Sequence, residues 1–375
     1  MFAKEIIFFL ISPLFVDAII GGKYVPNPHE YPWMVEVVSF DIDTSEKYRK
    51  FSNFATCGGT IISEHTILTA AHCVKRGWSE YSRGSKFKET AILVRIGHST
   101  LGYGNIVKVK SKIIHPNYLK YFYKERVLGK VYVSNNDIAL LELSEDLKFN
   151  EKIQPIALPD EDFDEENYLD KSRSKFMVAG WGYTFDIPND FYPLLKSGKW
   201  TVQKSKIPKE KYLKFCGVPN FIKSVYHHEK CEDNIKLIEP KTLKVTEVDY
   251  INVGNDSSTY KKKKMPVQIR AMGTEPHIPG ICSGDSGGPL MKIDVTSGKY
   301  EVVGIVASDA EVKKVKDLQG PLACLGAKPA IYTRVSAFVP WIKDSMNKAS
   351  NPDSFMQLYQ GYSSIFVGHW DQNRV

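Results

Sequence analysis

Beyond residue 18 the chain consists of short apolar or alternating runs cut by Gly, Pro, Asn and Asp, and this pattern constrains the fold more than any other feature. The clearest runs are Met34–Val38, Thr60–Ile62, Ile67–Ala71, Ile92–Ile96, Ile138–Leu143, Phe176–Ala179, Val302–Ala307 and Ile331–Val335. They read as strands of an antiparallel sandwich or barrel. Only the stretch from Val335 to Lys348 has helical spacing, with Phe338, Val339, Ile342 and Met346 on one face. No internal repeat of useful period is present. Lys75–Thr90, the acidic Glu161–Lys171 and the long 232–279 segment interrupt the pattern as expected inserted loops, and 349–375 reads as a C-terminal extension.

The first residues have a different character. Lys4 is a short basic start, weakened by Glu5, and Ile6–Val16 is apolar apart from Ser12 and Pro13. Val16-Asp17-Ala18 puts small residues where a signal peptidase reads. Residues 1–18 are therefore expected to be a secretory signal peptide, and the mature protein to be extracellular. The apolar run is too short to span a bilayer, and no later segment is longer, so no membrane partner is expected.

Secretion changes the reading of the six cysteines, 57, 73, 216, 231, 282 and 324. An even count in an oxidising compartment suggests disulfides, although sequence alone leaves the pairing open. No pair has CxxC spacing, so a metal site is not expected. Apolar residues make up 43% of the 375 and charged ones 25%, which fits a globular protein and excludes a disordered one. The net charge of +7 comes without a basic helix or RNA-binding signature, so no nucleic-acid partner is expected.

Three short strings carry chemistry. In Gly284-Asp285-Ser286-Gly287-Gly288-Pro289, glycines around a serine let the backbone turn sharply and approach a substrate. A tight turn alone would explain two glycines but not the whole string. Serine is a weak nucleophile until a base takes its proton, and it needs N–H donors aimed at the developing oxyanion. Thr69-Ala70-Ala71-His72-Cys73 offers a base whose pKa lies near working pH. The orienting carboxylate would be Asp137, which opens the apolar run after Asn136 and would otherwise be a turn residue. The remaining histidines are read as structural.

In this order the strings resemble the chymotrypsin/trypsin family of serine peptidases, whose triad mechanism is well described. Ile19-Ile20-Gly21-Gly22, Tyr31-Pro32-Trp33, Cys57-Gly58-Gly59, His115-Pro116-Asn117-Tyr118, Gly180-Trp181-Gly182 and Tyr332-Thr333-Arg334-Val335 match as well. The resemblance covers roughly 19–348 and implies an all-β fold of two antiparallel six-stranded β-barrels with a C-terminal α-helix. The first barrel is expected at about 33–146, the second at about 174–335 and the helix at about 336–348. Ser286 would be the nucleophile, His72 the general base and acid, and Asp137 the orienting carboxylate. The N–H groups of Gly284 and Ser286 would form the oxyanion hole. The resemblance also implies bridges Cys57–Cys73 and Cys282–Cys324, with Cys216–Cys231 as the third. An alternative alignment instead puts Ile269–Gly273 where a cysteine of that last bridge would sit, and none is there. No cofactor is implied.

Several positions depart from the pattern. The pocket floor, six residues before the nucleophile, is Gly280 rather than an aspartate, so nothing there attracts Lys or Arg. Ile281 should narrow the base, and Ala330 stands where many members have glycine. Ala307-Ser308-Asp309 replaces the usual Ser-Trp-Gly, which removes an apolar platform and a hydroxyl that normally supports the triad aspartate. Asp309 at the pocket mouth could favour a basic residue. Gly97–Val109 lacks the carboxylates that calcium would need. The expectation is a peptidase cleaving after uncharged residues, acting as a monomer on polypeptides and met by protein inhibitors. The rival function is an inactive homologue that serves as a binding module.

Two further expectations concern regulation. Lys261–Lys264 is a candidate contact for acidic glycans, although a solvated loop is the plainer account; Asn255-Asp256-Ser257 nearby is a glycosylation acceptor. The residue before Ile19 is Ala18, not Arg or Lys, so signal-peptide cleavage itself would create the terminus that pairs with Asp285. No separate zymogen is then expected.

Overall fold

The computed structural model describes residues 19, 22–43, 50–75, 87–125, 129–160, 174–186, 194–196, 199–201, 236–238, 242–251, 267–273, 280–308 and 330–349. Up to residue 143 its strands are β1 (Lys23–Tyr24), β2 (Met34–Asp43), β3 (Lys50–Ile61), β4 (Thr66–Thr69), β5 (Phe87–Ile96), β6 (Asn105–Ile114), β7 (Leu119–Glu125), β8 (Gly129–Asn135) and β9 (Ala139–Leu143). Strands β2-β3-β4-β9-β6-β5 close into a barrel. Its interior strands β4 and β9, TILT and ALLEL, are buried at every position. At the wall, β6 alternates, burying Val107 and exposing Lys108. This is the period-2 signature of a strand with one face on the core.

The later strands are β10 (Ser174–Gly180), β11 (Thr184–Asp186), β12 (Leu194–Lys196), β13 (Lys199–Thr201), β14 (Lys236–Ile238), β15 (Lys244–Ile251), β16 (Gln268–Gly273), β17 (Pro289–Asp294), β18 (Tyr300–Ser308) and β19 (Ala330–Arg334). Pairings run β15-β10-β17-β18-β19-β16, and β16 pairs back to β15, which closes a second antiparallel ring. Beside β16, the two residues of β1 pair with the start of β15. The chain ends its described part in a 3-10 turn, Val335–Phe338, and an α-helix, Val339–Ala349. The all-β two-barrel architecture with a C-terminal helix is thus present.

Two expectations about the segments change. The 232–279 segment, expected as an inserted loop, contributes β15 and β16 to the second barrel. Charged residues Lys244, Glu247 and Asp249 alternate with Val245 and Val248 and mask the strand when the sequence is scanned for apolar runs. Lys75–Thr90 likewise gives its last residues to β5. Conversely, β7 and β8 form a separate two-stranded hairpin ahead of residue 137 that no sequence feature had singled out. Residues 161–173 and 350–375 lie outside the described residues. No described helix is long and apolar enough to cross a membrane.

Side chains tie the barrels together. The indole of Trp181 donates to the Ser99 carbonyl at 2.7 Å, and the Leu243 amide donates to the same oxygen at 2.7 Å. One buried cluster runs from Val35, Leu68 and Leu140 of the first barrel to Met291, Ile305 and Phe338 beyond it. Such continuous apolar burial is the dominant favourable term in holding the two halves together. A Cys57–Cys73 disulfide spans a separation of 16 residues and anchors the turn after β4 to β3. Closing a loop of that size stabilises the fold by about 3 kcal/mol in the chain-entropy account.

Candidate active site

His72 lies in a single helical turn, Ala71–Val74, directly after β4. Ala70, Ala71, Cys73 and Val74 are buried, so the turn is held on three sides and only His72 reaches the surface. Its backbone N–H donates to Asp137 Oδ1 at 2.9 Å, and its ring Nδ1 lies 2.7 Å from Asp137 Oδ2. With the carboxylate ionised, that pairing puts the ring proton on Nδ1 and leaves Nε2 with its lone pair. Asp137 itself is 1% exposed. Asn136 turns the chain into β9 with a φ of +53°, a left-handed conformation that asparagine tolerates, and its side chain donates to the Asn117 carbonyl at 2.8 Å. From the second barrel, the Thr333 hydroxyl donates to the Asp137 carbonyl at 2.9 Å. Strand β19 therefore reaches across to hold a residue of the first barrel.

The loop from Gly284 to Gly288 sits at the seam. The Gly58 amide donates to the Ser286 carbonyl at 2.7 Å, and the Gly287 amide donates to the Val306 carbonyl at 2.8 Å. Gly287 has a φ of +79°, and a β-carbon there would collide with the Gly58 carbonyl and the Thr69 hydroxyl. A β-carbon on Gly58 would lie 2.7 Å from the Gly288 Cα. These contacts require glycine on both sides. They also seat the serine loop on β3 and against Cys73, the residue next to His72.

Asp285 is completely buried. Its Oδ1 accepts the Gly182 amide at 2.7 Å and its Oδ2 the Cys282 amide at 2.8 Å. A β-carbon on Gly180 or Gly182 would collide with this carboxylate, which explains the two glycines around Trp181. Ile19 is also fully buried, in the second barrel's cluster with Phe176, Val178 and Leu290. Cys282 is disulfide-bonded; its partner lies outside the described residues, as do Cys216, Cys231 and Cys324.

The expected pocket residues differ in exposure. Among the described residues, none has an atom within 4 Å of a β-carbon built on Gly280. Ile281, expected to narrow the pocket base, is 3% exposed and belongs to the barrel cluster that holds Ile19. Ala330 is buried in the same cluster, and Ala307 is 7% exposed. Asp309 and Lys261–Lys264 lie outside the described residues.

The family described as Trypsin matches residues 19–212 and 229–342. The chain belongs to the trypsin family. Among its relatives is the clotting factor G beta subunit of Tachypleus tridentatus, 26% identical over 88% of this chain and 80% of that protein. Melanization protease 1 of Drosophila melanogaster is 27% identical over 88% of this chain and 66% of its own length. The phenoloxidase-activating enzyme of Bombyx mori is 27% identical, and the chain spans 61% of it. These relatives support a serine peptidase, and so a hydrolase, with polypeptide substrates. In this trypsin-family chain the sequence strings singled out His72, Asp137 and the serine loop, and the structure brings His72 and Asp137 into contact and seats Gly287 beside Cys73. They did not single out Thr333 as a support of Asp137, although Tyr332-Thr333-Arg334-Val335 carried it in plain view.

Proposed function

We propose that the protein is a secreted serine endopeptidase in which Ser286, His72 and Asp137 act as the triad. The observation that carries this reading is the buried Asp137 carboxylate, which holds both the backbone and the ring of His72 beside the Gly284–Gly288 loop. In this reading Ser286 Oγ attacks the scissile carbonyl while its proton passes to His72 Nε2. The N–H groups of Gly284 and Ser286 receive the oxyanion. The C–N bond then breaks as His72 returns the proton to the leaving amine. Water repeats the sequence on the acyl-enzyme and frees the carboxylic acid. This is the general template of such triads applied to these residues. A fluorophosphonate probe tests it: the protein starting at Ile19 should be labelled at Ser286, and the Ser286→Ala variant should not. Absence of labelling in the unmodified protein would refute the reading.

Gly280 in place of an aspartate at the expected floor position favours cleavage after uncharged residues, because a buried Lys or Arg would lose hydration without a countercharge from that residue. The relatives' printed names, a clotting factor and a melanization protease, favour cleavage of protein substrates outside the cell. On the same reading, signal-peptide removal after Ala18 exposes the Ile19 amino group, which enters the second barrel and pairs with Asp285. Burial of Ile19 in that barrel supports it. The bridges Cys282–Cys324 and Cys216–Cys231, control by protein inhibitors, a monomeric state and a glycan contact at Lys261–Lys264 complete the proposal.

A further inference from the structure

We propose that Lys244 and Tyr24 form a clasp that holds the N-terminal strand on the second barrel, and that the pair are positioning residues for the Ile19 terminus. The proposal rests on the peptidase reading, in which that terminus meets Asp285. Lys244 opens β15 and stands between two strands: Tyr24 of β1 pairs with it on one side and Gly180 of β10 on the other. Its side chain is fully buried, and its ammonium lies 3.9 Å from the centroid of the Tyr24 ring. An interior ammonium has lost most of its hydration, and an aromatic face returns part of it. Burial lowers the Lys244 pKa to about 7, so below that pH the ring faces a charged ammonium.

Three features connect this contact to the active site. Strand β1 pairs with β15 through Lys23 with Val245 and Tyr24 with Lys244, and the contact of the Tyr24 ring with the Lys244 ammonium adds to this docking. On the other edge of β15, Gly180 is the residue against which the Asp285 carboxylate is seated. Lys244 thus stands in one short row between the strand leading from Ile19 and the strand that shapes the Asp285 seat. Finally, the Val25 amide donates to the Leu243 carbonyl at 3.0 Å, so the row continues into the chain on both sides of the clasp.

The test is a double-mutant cycle on the mature protein starting at Ile19. Tyr24→Leu removes the ring face, Tyr24→Phe keeps it, and Lys244→Met removes the cation with little loss of volume. Two readouts are followed at pH 6, where Lys244 carries its charge: hydrogen exchange of the Lys23–Val25 amides, and kcat set against KM for peptide hydrolysis. In Tyr24→Leu the amides should exchange about ten-fold faster and kcat should fall about ten-fold with little change in KM. Tyr24→Phe should restore both. With Lys244→Met in the background, Tyr24→Leu should change either readout by no more than about two-fold. Equal effects of Tyr24→Leu in both backgrounds would overturn the clasp, whatever the activity. Coupled exchange with an unchanged kcat would overturn the positioning role. Coupled exchange in a protein that never hydrolyses peptides would uphold the clasp and sink the peptidase reading instead.

Discussion

Ser286 sits on a loop whose neighbours leave no room for a side chain at Gly287, and its environment is set by residues far away in sequence. If the proposed triad operates, Ser286→Ala lowers turnover by about a million-fold, since nucleophile and base act as one unit and lose nearly the same when either is removed. Peptide hydrolysis by the purified variant checks this, and His72→Ala should match it closely. Thr333→Val is subtler. It removes a donor to the Asp137 carbonyl and strands that oxygen in the interior. A loss of about 1–3 kcal/mol in stability is expected, read from denaturant midpoints, with a fall in kcat and little change in KM. The residues proposed as the triad stand out in the sequence because each sits in a local string whose neighbours that chemistry would need. Thr333 was not legible as a support because its role depends on a contact 196 residues away. Lys244 was missed for a related reason: a lysine in a strand reads as solvent-facing unless the partners that bury it are known.

At the level of elements, the Gly180-Trp181-Gly182 turn shows how a short motif acts as a mould. The indole reaches the first barrel through Ser99, while the two glycines leave space for the Asp285 carboxylate. Gly182→Ala puts a methyl group into that carboxylate and competes with the hydrogen bond that the Gly182 amide supplies. Overpacking of this kind costs about 1–3 kcal/mol, and the displaced Asp285 should take activity with it. Thermal unfolding and probe labelling should therefore fall together; a variant that labels normally would show that the Asp285 seat is unimportant. Legibility at this scale was uneven. Strands with buried positions throughout, such as β4 and β9, stood out in the sequence as apolar runs. Strands β15 and β16 did not, because their charged residues break the apolar pattern and the flanking segments are long. The hairpin of β7 and β8 did not stand out either: Leu119, Tyr121 and Tyr123 occupy alternate positions, but Phe122 breaks the apolar–polar alternation.

For the molecule as a whole, the first barrel and the C-terminal helix meet at His115, and that junction has a predictable response to pH. The ring of His115 lies edge-on to Phe338 at 5.1 Å and to Trp341 at 5.0 Å, so it packs the helix against the first barrel. Its backbone N–H donates to the Ile138 carbonyl at 3.1 Å, one residue beyond Asp137. Burial lowers the His115 pKa from 6.5, because the charged imidazolium loses hydration against those rings. The unfolded chain therefore binds more protons than the native one in the window just below 6.5. The contribution of neutral His115 to stability is fully present above that value and is lost as pH falls through the window towards the native pKa. Acidification from pH 7 to pH 5 should lower Tm and loosen the helix first. Measurement in the Ser286→Ala background avoids self-digestion. The decisive comparison is with His115→Phe, which keeps an aromatic ring but carries no proton. Its Tm should fall less between the two pH values than that of the parent. Parallel pH profiles for the two proteins would show that acid acts elsewhere and that the junction is indifferent to the charge on residue 115.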